Sequence, residues 1–219
     1  MSGRGAERQL VLLTGELMRR GWDVHVALIR GGPNYEALAA TGCRIHKIFA
    51  INNYDITILP QLVALIARIR PHLVHTWMLQ MDVLGGVASK LTGRPFIVSE
   101  RCSESTYQSG IKNYLRVCVG RFAAAVISNS IGGKKYWQEM TGSGVPTYIV
   151  RNLLPVSEIE NTGPTVCEID IESTAKVLLF AGRFSPEKNI ETIIDAFEIV
   201  SSQKDAVLLL CGEGELKPK

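Results

Sequence analysis

The chain has 219 residues, 46% of them hydrophobic, and a formal net charge of +3. That length suits one large domain or one and a half smaller ones, and no apolar run approaches the roughly 18 residues that a membrane span needs. The basic residues are scattered rather than gathered into a stripe, which argues against a nucleic-acid partner; the mild positive bias suits an anionic ligand or a membrane surface.

The five cysteines, Cys43, Cys102, Cys118, Cys167 and Cys211, form no CxxC pair. Free thiols imply a reducing, cytoplasmic compartment, and Cys43 and Cys211, beside or within strand patterns, read as small apolar residues. The first apolar stretch is interrupted by Glu16, so no signal peptide is expected.

In chain order, residues 6–20 set Leu10, Leu13 and Leu17 on one face and end at Gly21, an amphipathic helix with a glycine stop. "WDVHVALI" follows, a nearly continuous apolar strand of the kind buried in a parallel sheet. A short helix spans Tyr35 to Ala40, "RIHKIFA" is a strand, and a helix from Leu59 to Ile69 stops before Pro71. "HLVHTW", "MDVLGGVASKLTG" and "PFIVSE" read as strand, helix and strand. A helix between Lys112 and Phe122 precedes the strand "AAAVISNS", the helix "GGKKYWQEM" and the strand "PTYIVRN". This alternation predicts right-handed βαβ units on a parallel sheet.

The texture changes at residues 153–175, which carry Pro155, Gly163, Pro164 and a string of acids with little periodicity. They read as an interdomain connection between an N-terminal Rossmann-like domain, 1–152, and the start of a second, 176–219. There the alternation resumes with "KVLLFAG", a helix from Glu187 to about Ser202, and "AVLLLCG". Both ends look cut. "GRGAERQ" has a glycine turn and a helix but no strand before them, and "LLLCGEGELKPK" stops where a helix is due. The expectation is a fragment, or a sheet finished by another chain.

At these residues the sequence resembles the family-4 retaining glycosyltransferases, whose GT-B architecture sets two Rossmann-like domains across a cleft. "GAERQLVLLTGELMRRGWDVHVAL", "RPHLVHTW", "GGVASKLTGRPFIVSE", "ISNS" and "IVRN" resemble the N-terminal, acceptor-side domain. "LLFAGRFSPEKNIETIIDAF" and "LLLCGEGEL" resemble the start of the donor-binding domain. The match spans nearly the whole chain, carried by the order and spacing of the stretches. The resemblance implies transfer of a sugar from a nucleotide-sugar donor to a glycan or lipid-linked acceptor, with retained configuration. It implies a cytoplasmic enzyme of polysaccharide or cell-envelope synthesis, or one peripheral at the inner face of the membrane.

The resemblance also assigns residues. A sugar nucleotide carries a diphosphate, and charge builds on the leaving phosphate as the bond breaks. No D-x-D motif is present to hold a metal; "EIDIE", 168–172, reads as a solvated run. By resemblance Arg183 and Lys188 serve as fixed cations, so no metal or cofactor is expected. The bland alternative makes Arg183 a surface residue and Lys188 a solvated first-turn lysine, a placement mildly unfavourable without an anion. Gly182, Gly212, Glu213 and Gly214 would lie beside the nucleotide, or form an ordinary turn. Gly3 and Gly5, His75, and the pair Glu100 and Arg101 would line the acceptor or sugar cleft. Some relatives carry a histidine near that Glu-Arg pair, so its role departs from the pattern; His75 could equally cap the sheet. His25 and His46 read as structural.

The family's E-x7-E motif would appear only after Lys219, where the chain ends, and no general base is nominated. "SIGGKKYW" fails the phosphate-loop pattern, with Ser128 and Lys135 at its required positions. A nicotinamide oxidoreductase would want a third glycine where Arg8 stands, and a non-catalytic module of the same fold is the other competing class. The helix "PQLVALIARIR", ending in Arg68 and Arg70, would pack on the sheet or give a peripheral membrane contact.

Overall fold

A computed structural model describes residues 5–52, 55–101, 110–163 and 175–217. The chain divides into two compact units, Met1–Pro155 and Val156–Lys219.

The first unit begins with α1 (Gly5–Arg19), β1 (His25–Leu28), α2 (Tyr35–Ala40) and β2 (Arg44–Lys47). It continues with α3 (Ile58–Ile69), β3 (Val74–Trp77), α4 (Leu79–Leu91), β4 (Phe96–Glu100), α5 (Ile111–Gly120), β5 (Ala125–Ser128), α6 (Ile131–Thr141) and β6 (Thr147–Ile149). All pairings are parallel, in two ladders: β1–β2, and β3-β4-β5-β6 in chain order. In the first ladder His25 and His46 stack with parallel rings, their Nδ1 and Nε2 atoms 2.8 Å apart.

Strictly sequential strand order has a consequence for the helices. Each right-handed crossover moves one strand in the same direction, so α4, α5 and α6 fall on one face of the sheet. The core shows it: Phe96, Val98 and Val126 from the strands pack with Val117, Tyr136 and Trp137 from α5 and α6. Trp137 is wholly buried, and burying a large apolar side chain stabilises by roughly 1.5–3 kcal/mol. The apolar face of α3 (Ile58, Leu62, Ile66) closes a second core with Ile48 and Ala88. That helix packs through its apolar face. In α1 the expected leucines are half-buried and Thr14 is the fully buried residue.

Strand alternation then sorts side chains by face. Thr76, Val98, Glu100, Val126 and Ser128 point to the helix side. His75, Trp77, Ser99 and Arg101 share the opposite side.

The second unit holds a short helix, α7 (Val156–Glu160), inside the stretch read as a featureless connection, then β7 (Lys176–Ala181), α8 (Ile190–Ser201) and β8 (Ala206–Cys211). β7 and β8 pair in parallel. Leu178 and Leu179 are exposed, and Phe180, Leu208 and Leu210 are half-buried. The helix expected from Glu187 is interrupted. Pro186–Lys188 form a single 3-10 turn, Asn189 is left-handed (φ 49°, ψ 49°), and the α-helix starts at Ile190. Lys188 therefore stands before the helix, not in its first turn. Cys211 is exposed rather than packed, while Cys43 and Cys118 are half-buried. Cys102, Cys167 and "EIDIE" lie outside the described residues.

Candidate functional site

Two clusters sit at the carboxyl ends of parallel strands, where open α/β sheets place their ligands. The first is at the ends of β3 and β4. The Arg101 guanidinium covers the Trp77 ring, its central carbon 4.7 Å from the ring centroid, and the His75 ring lies 5.0 Å from Trp77 on the same face. Arg101 Nε donates to Ser99 Oγ at 2.9 Å and Nη1 donates to Asn152 Oδ1 at 2.9 Å. The next residue is fixed in turn: Gln9 of α1 donates to the Leu153 carbonyl and accepts from the Leu153 N–H. One helix side chain thus holds the backbone beside the residue that orients the arginine.

His75 Nε2 is buried and makes no hydrogen bond. Burial first, and the Arg101 charge second, push the imidazole down to about 4. A neutral ring with an unpartnered nitrogen can accept from or donate to a hydroxyl. At Met78, which joins β3 to α4, the backbone takes φ 74° and ψ 145°, a conformation an L side chain adopts only under strain.

Glu100 departs from expectation. Far from lining a cleft, it is completely buried on the helix side, because its strand position alternates with that of Arg101. Its Oε2 accepts from Arg116 Nη1 at 2.8 Å and from Trp137 Nε1 at 2.7 Å. Arg116 Nε also donates to Asp82 Oδ2 at 2.7 Å, and Asp82 Oδ1 accepts from Thr76 Oγ1 at 2.7 Å. Among the described residues one guanidinium here faces two carboxylates, all out of water. Desolvation accordingly pushes the Asp82 carboxyl up to about 6, against the pull of Arg116. The network ties β3, β4, α4, α5 and α6 together beneath the cluster; no sequence motif announces it, since its members lie up to 61 positions apart, from Thr76 to Trp137.

The second cluster is at the end of β7. Arg183 and Lys188 are both exposed, and Ser185 between them is buried. The turn is held by Ser185 N–H to Arg183 O at 3.1 Å and Lys188 N–H to Ser185 O at 2.9 Å. Glu187 lies among them. Its own backbone N–H first, and the Ser185 hydroxyl second, hold its carboxyl below the usual range, and Arg183 and Lys188 reinforce the effect.

The loop after β8 runs alongside. Gly182 N–H donates to Cys211 O at 2.9 Å, and Phe184 N–H donates to Glu213 O at 3.0 Å. A Cβ on Gly212 would strike the Gly182 carbonyl, and one on Gly214 the Phe184 carbonyl. What these glycines admit is neighbouring backbone. Glu213 pairs with Lys217. Gly5 opens α1 with free space around it, and Gly3 lies outside the described residues.

Two open grooves lie elsewhere: about 470 Å³ between β2 and α3, and about 410 Å³ between α8 and the β7–β8 ladder. Of the nominated residues only Lys188 touches either. The chemistry gathers at the strand ends, and the grooves mark sheet surface that little covers. Among the described residues no three His, Cys, Asp or Glu side chains converge on a metal position. No described helix is long and apolar enough to cross a membrane.

Residues 3–154 match the family described as Glycosyltransferase Family 4, and residues 168–219 match Glycosyl transferases group 1. No curated protein matches the chain. Among solved structures the chain is similar to Anabaena HepE in complex with UDP, with a TM-score of 0.73 and 18% identity over 98% of this chain. It is similar to a glycosyltransferase from Rickettsia africae (TM-score 0.65, 16% identity, 97% of this chain). It also resembles the lipopolysaccharide outer core galactosyltransferase WaaB (TM-score 0.63, 14% identity, 98% of this chain). The chain spans 59%, 58% and 58% of those three chains respectively. At such identities the likeness shows the fold, which is GT-B.

Proposed function

From the premise that the chain belongs to glycosyltransferase family 4, we propose that it takes part in moving a sugar from a nucleotide-sugar donor to an acceptor. The observation that carries the donor side is the β7 end. Two exposed cations flank a buried hydroxyl on one turn. In this reading Arg183 offers two parallel donors to phosphate oxygens, Lys188 a point charge, and Ser185 Oγ a hydrogen bond. Charge growing on the leaving phosphate is met by groups already in place, so no metal is required of the protein. Glu187 is the counter-charge of the two cations until the donor arrives.

On the acceptor side, His75 is neutral at physiological pH and suits a sugar hydroxyl, with Arg101 held over Trp77 as the adjacent donor. Glu100 supports that strand end from beneath. The proposal extends to retained anomeric configuration, hexosyl transfer, a glycan or lipid-linked acceptor and a cytoplasmic place in envelope-polysaccharide assembly. Supporting it, one HepE structure holds UDP-glucose and WaaB is a lipopolysaccharide outer core galactosyltransferase.

A second part of the proposal is binding with little turnover by this 219-residue chain, because the strands that flank the donor cluster are exposed at Leu178 and Leu179. Calorimetry with UDP and GDP, run beside a UDP-glucose turnover assay, tests both. Expected are weak diphosphate binding, its loss by about tenfold in Arg183→Ala and in Lys188→Ala, and slow or no transfer. Parent-like binding in both variants would remove the diphosphate assignment; micromolar binding with multiple turnovers would remove the second part.

A further inference from the structure

Arg101 and Arg116 stand on opposite sides of the same sheet and are treated in opposite ways. Arg116 faces two carboxylates, Asp82 and Glu100. Arg101 is half-buried, and burial works against its charge. The acid that acts on it is Glu100, whose Oε2 is already taken by Arg116 and Trp137 on the far side. The polar partners of Arg101 among the described residues are Ser99 and Asn152, and both are neutral. A half-desolvated guanidinium thus has no counter-ion beside it.

Two further unfavourable features share this place. His75 Nε2 is buried without a hydrogen bond, close enough to Arg101 for the cation to act on the ring. Met78, directly after Trp77, holds φ at 74°. Buried polar groups are normally paired, and strain of this kind persists where the surroundings hold it in place. Here they do. The Trp77 ring sets the plane of the guanidinium, and Ser99 and Asn152 set its rotation. A guanidinium has five N–H donors. With Nε and one Nη1 proton committed, the Nη2 end of the fork is left, already oriented.

We propose that this strand end selects an acceptor sugar that carries an anionic group, a carboxylate or a phosphate, with Arg101 as the specificity-determining residue. Both groups match the planar fork and supply the missing counter-charge, and such charge-assisted bonds are stronger than those to neutral acceptors. A neutral hydroxyl would satisfy one donor and leave the charge uncompensated. The neutral His75 ring beside it suits a hydroxyl on the same sugar. The inference rests on the acceptor reading given above, and it is measured without donor or turnover.

Saturation-transfer NMR on the full chain, at low salt and without nucleotide, compares methyl glucuronoside, glucose-6-phosphate and methyl glucoside. At least one anionic sugar is expected to bind about tenfold or more tightly than the neutral one. The tighter of the two identifies the group. Arg101→Gln should erase the preference and leave methyl glucoside unchanged. Arg101→Lys should keep part of it, since a point charge lacks the fork. Asn152→Ala, at an exposed position, should weaken it without disturbing the fold. Arg121→Gln, at the exposed end of α5, should behave as the parent. Equal binding of the three sugars, no binding of either anionic sugar at tens of millimolar, or a preference that survives both Arg101→Gln and Asn152→Ala would each overturn the proposal. So would UDP displacing the bound sugar and itself losing affinity in Arg101→Gln, which would give the anion site to the donor. Diphosphate binding that depends on Arg183 is unaffected by any of these results, so the donor reading and this one fail separately.

Discussion

At the residue scale, His75 and Asp82 shift in opposite directions over one pH window. His75, depressed to about 4 by burial, binds fewer protons folded than unfolded, so its contribution is present above the ordinary histidine range and fades as pH falls toward 4. Asp82, raised to about 6 by desolvation, binds more protons folded than unfolded, so its contribution is present at low pH and fades as pH rises through 6. Each amounts to something on the order of 3 kcal/mol, and in the parent they offset each other. Urea titrations between about pH 4 and 6.5 should show this directly. Stability of His75→Gln is expected to fall as pH rises, and that of Asp82→Asn to climb. Parallel pH profiles for both variants would contradict the assignment. Asp82→Asn should itself be tolerated, because it leaves one guanidinium against one carboxylate. Arg116→Met strands two buried acids and should cost about 3–5 kcal/mol, seen as a lost or early melting transition.

At the element scale, helices α5 and α6 approach closely at one point. A Cβ on Gly120 would enter the Trp137 ring, and that ring is fully buried with its N–H committed to Glu100. It cannot give way. Gly120→Ala should therefore destabilise by about 1–3 kcal/mol, a fall of several degrees in melting temperature by calorimetry; an unchanged midpoint would mean that the helices are free to part. None of this is visible in "LRVCVGRF", where Gly120 falls inside the helix expected between Lys112 and Phe122. Element order and type were legible, because apolar period and glycine punctuation are local signals. The strand-end positions of Arg101 and Arg183 followed from the same alternation, whereas His75 stands two residues before the end of β3. Glu100 was misplaced because it and Arg101 look equivalent in a sequence, whereas neighbouring strand residues face opposite ways. The break before α8 was missed because "PEKNIETI" carries helical apolar spacing, and a left-handed Asn189 leaves no periodic trace. Ser185 gave no signal at all; its interest lies in being buried between two exposed cations.

At the scale of the molecule, the two units differ in how well their strands are covered. β4 is buried along most of its length, while no residue of β7 is fully buried. Amides with little packing above them open at low free-energy cost. In native-state hydrogen exchange the β7–β8 amides should exchange well before those of β4 and β5, and equal protection in both ladders would refute that ranking. The sequential order of β3 to β6 has one more effect. It sends every crossover helix to one face and leaves the chemistry of the strand ends at the sheet's rim and on its other side. The outward positions of α4, α5 and α6 can consequently drift by mutation without altering the residues around His75 and Arg101. Descendants of this fold are free to remodel that outer helix layer while preserving what they do, and the reverse: an evolvability written into strand order rather than into any side chain.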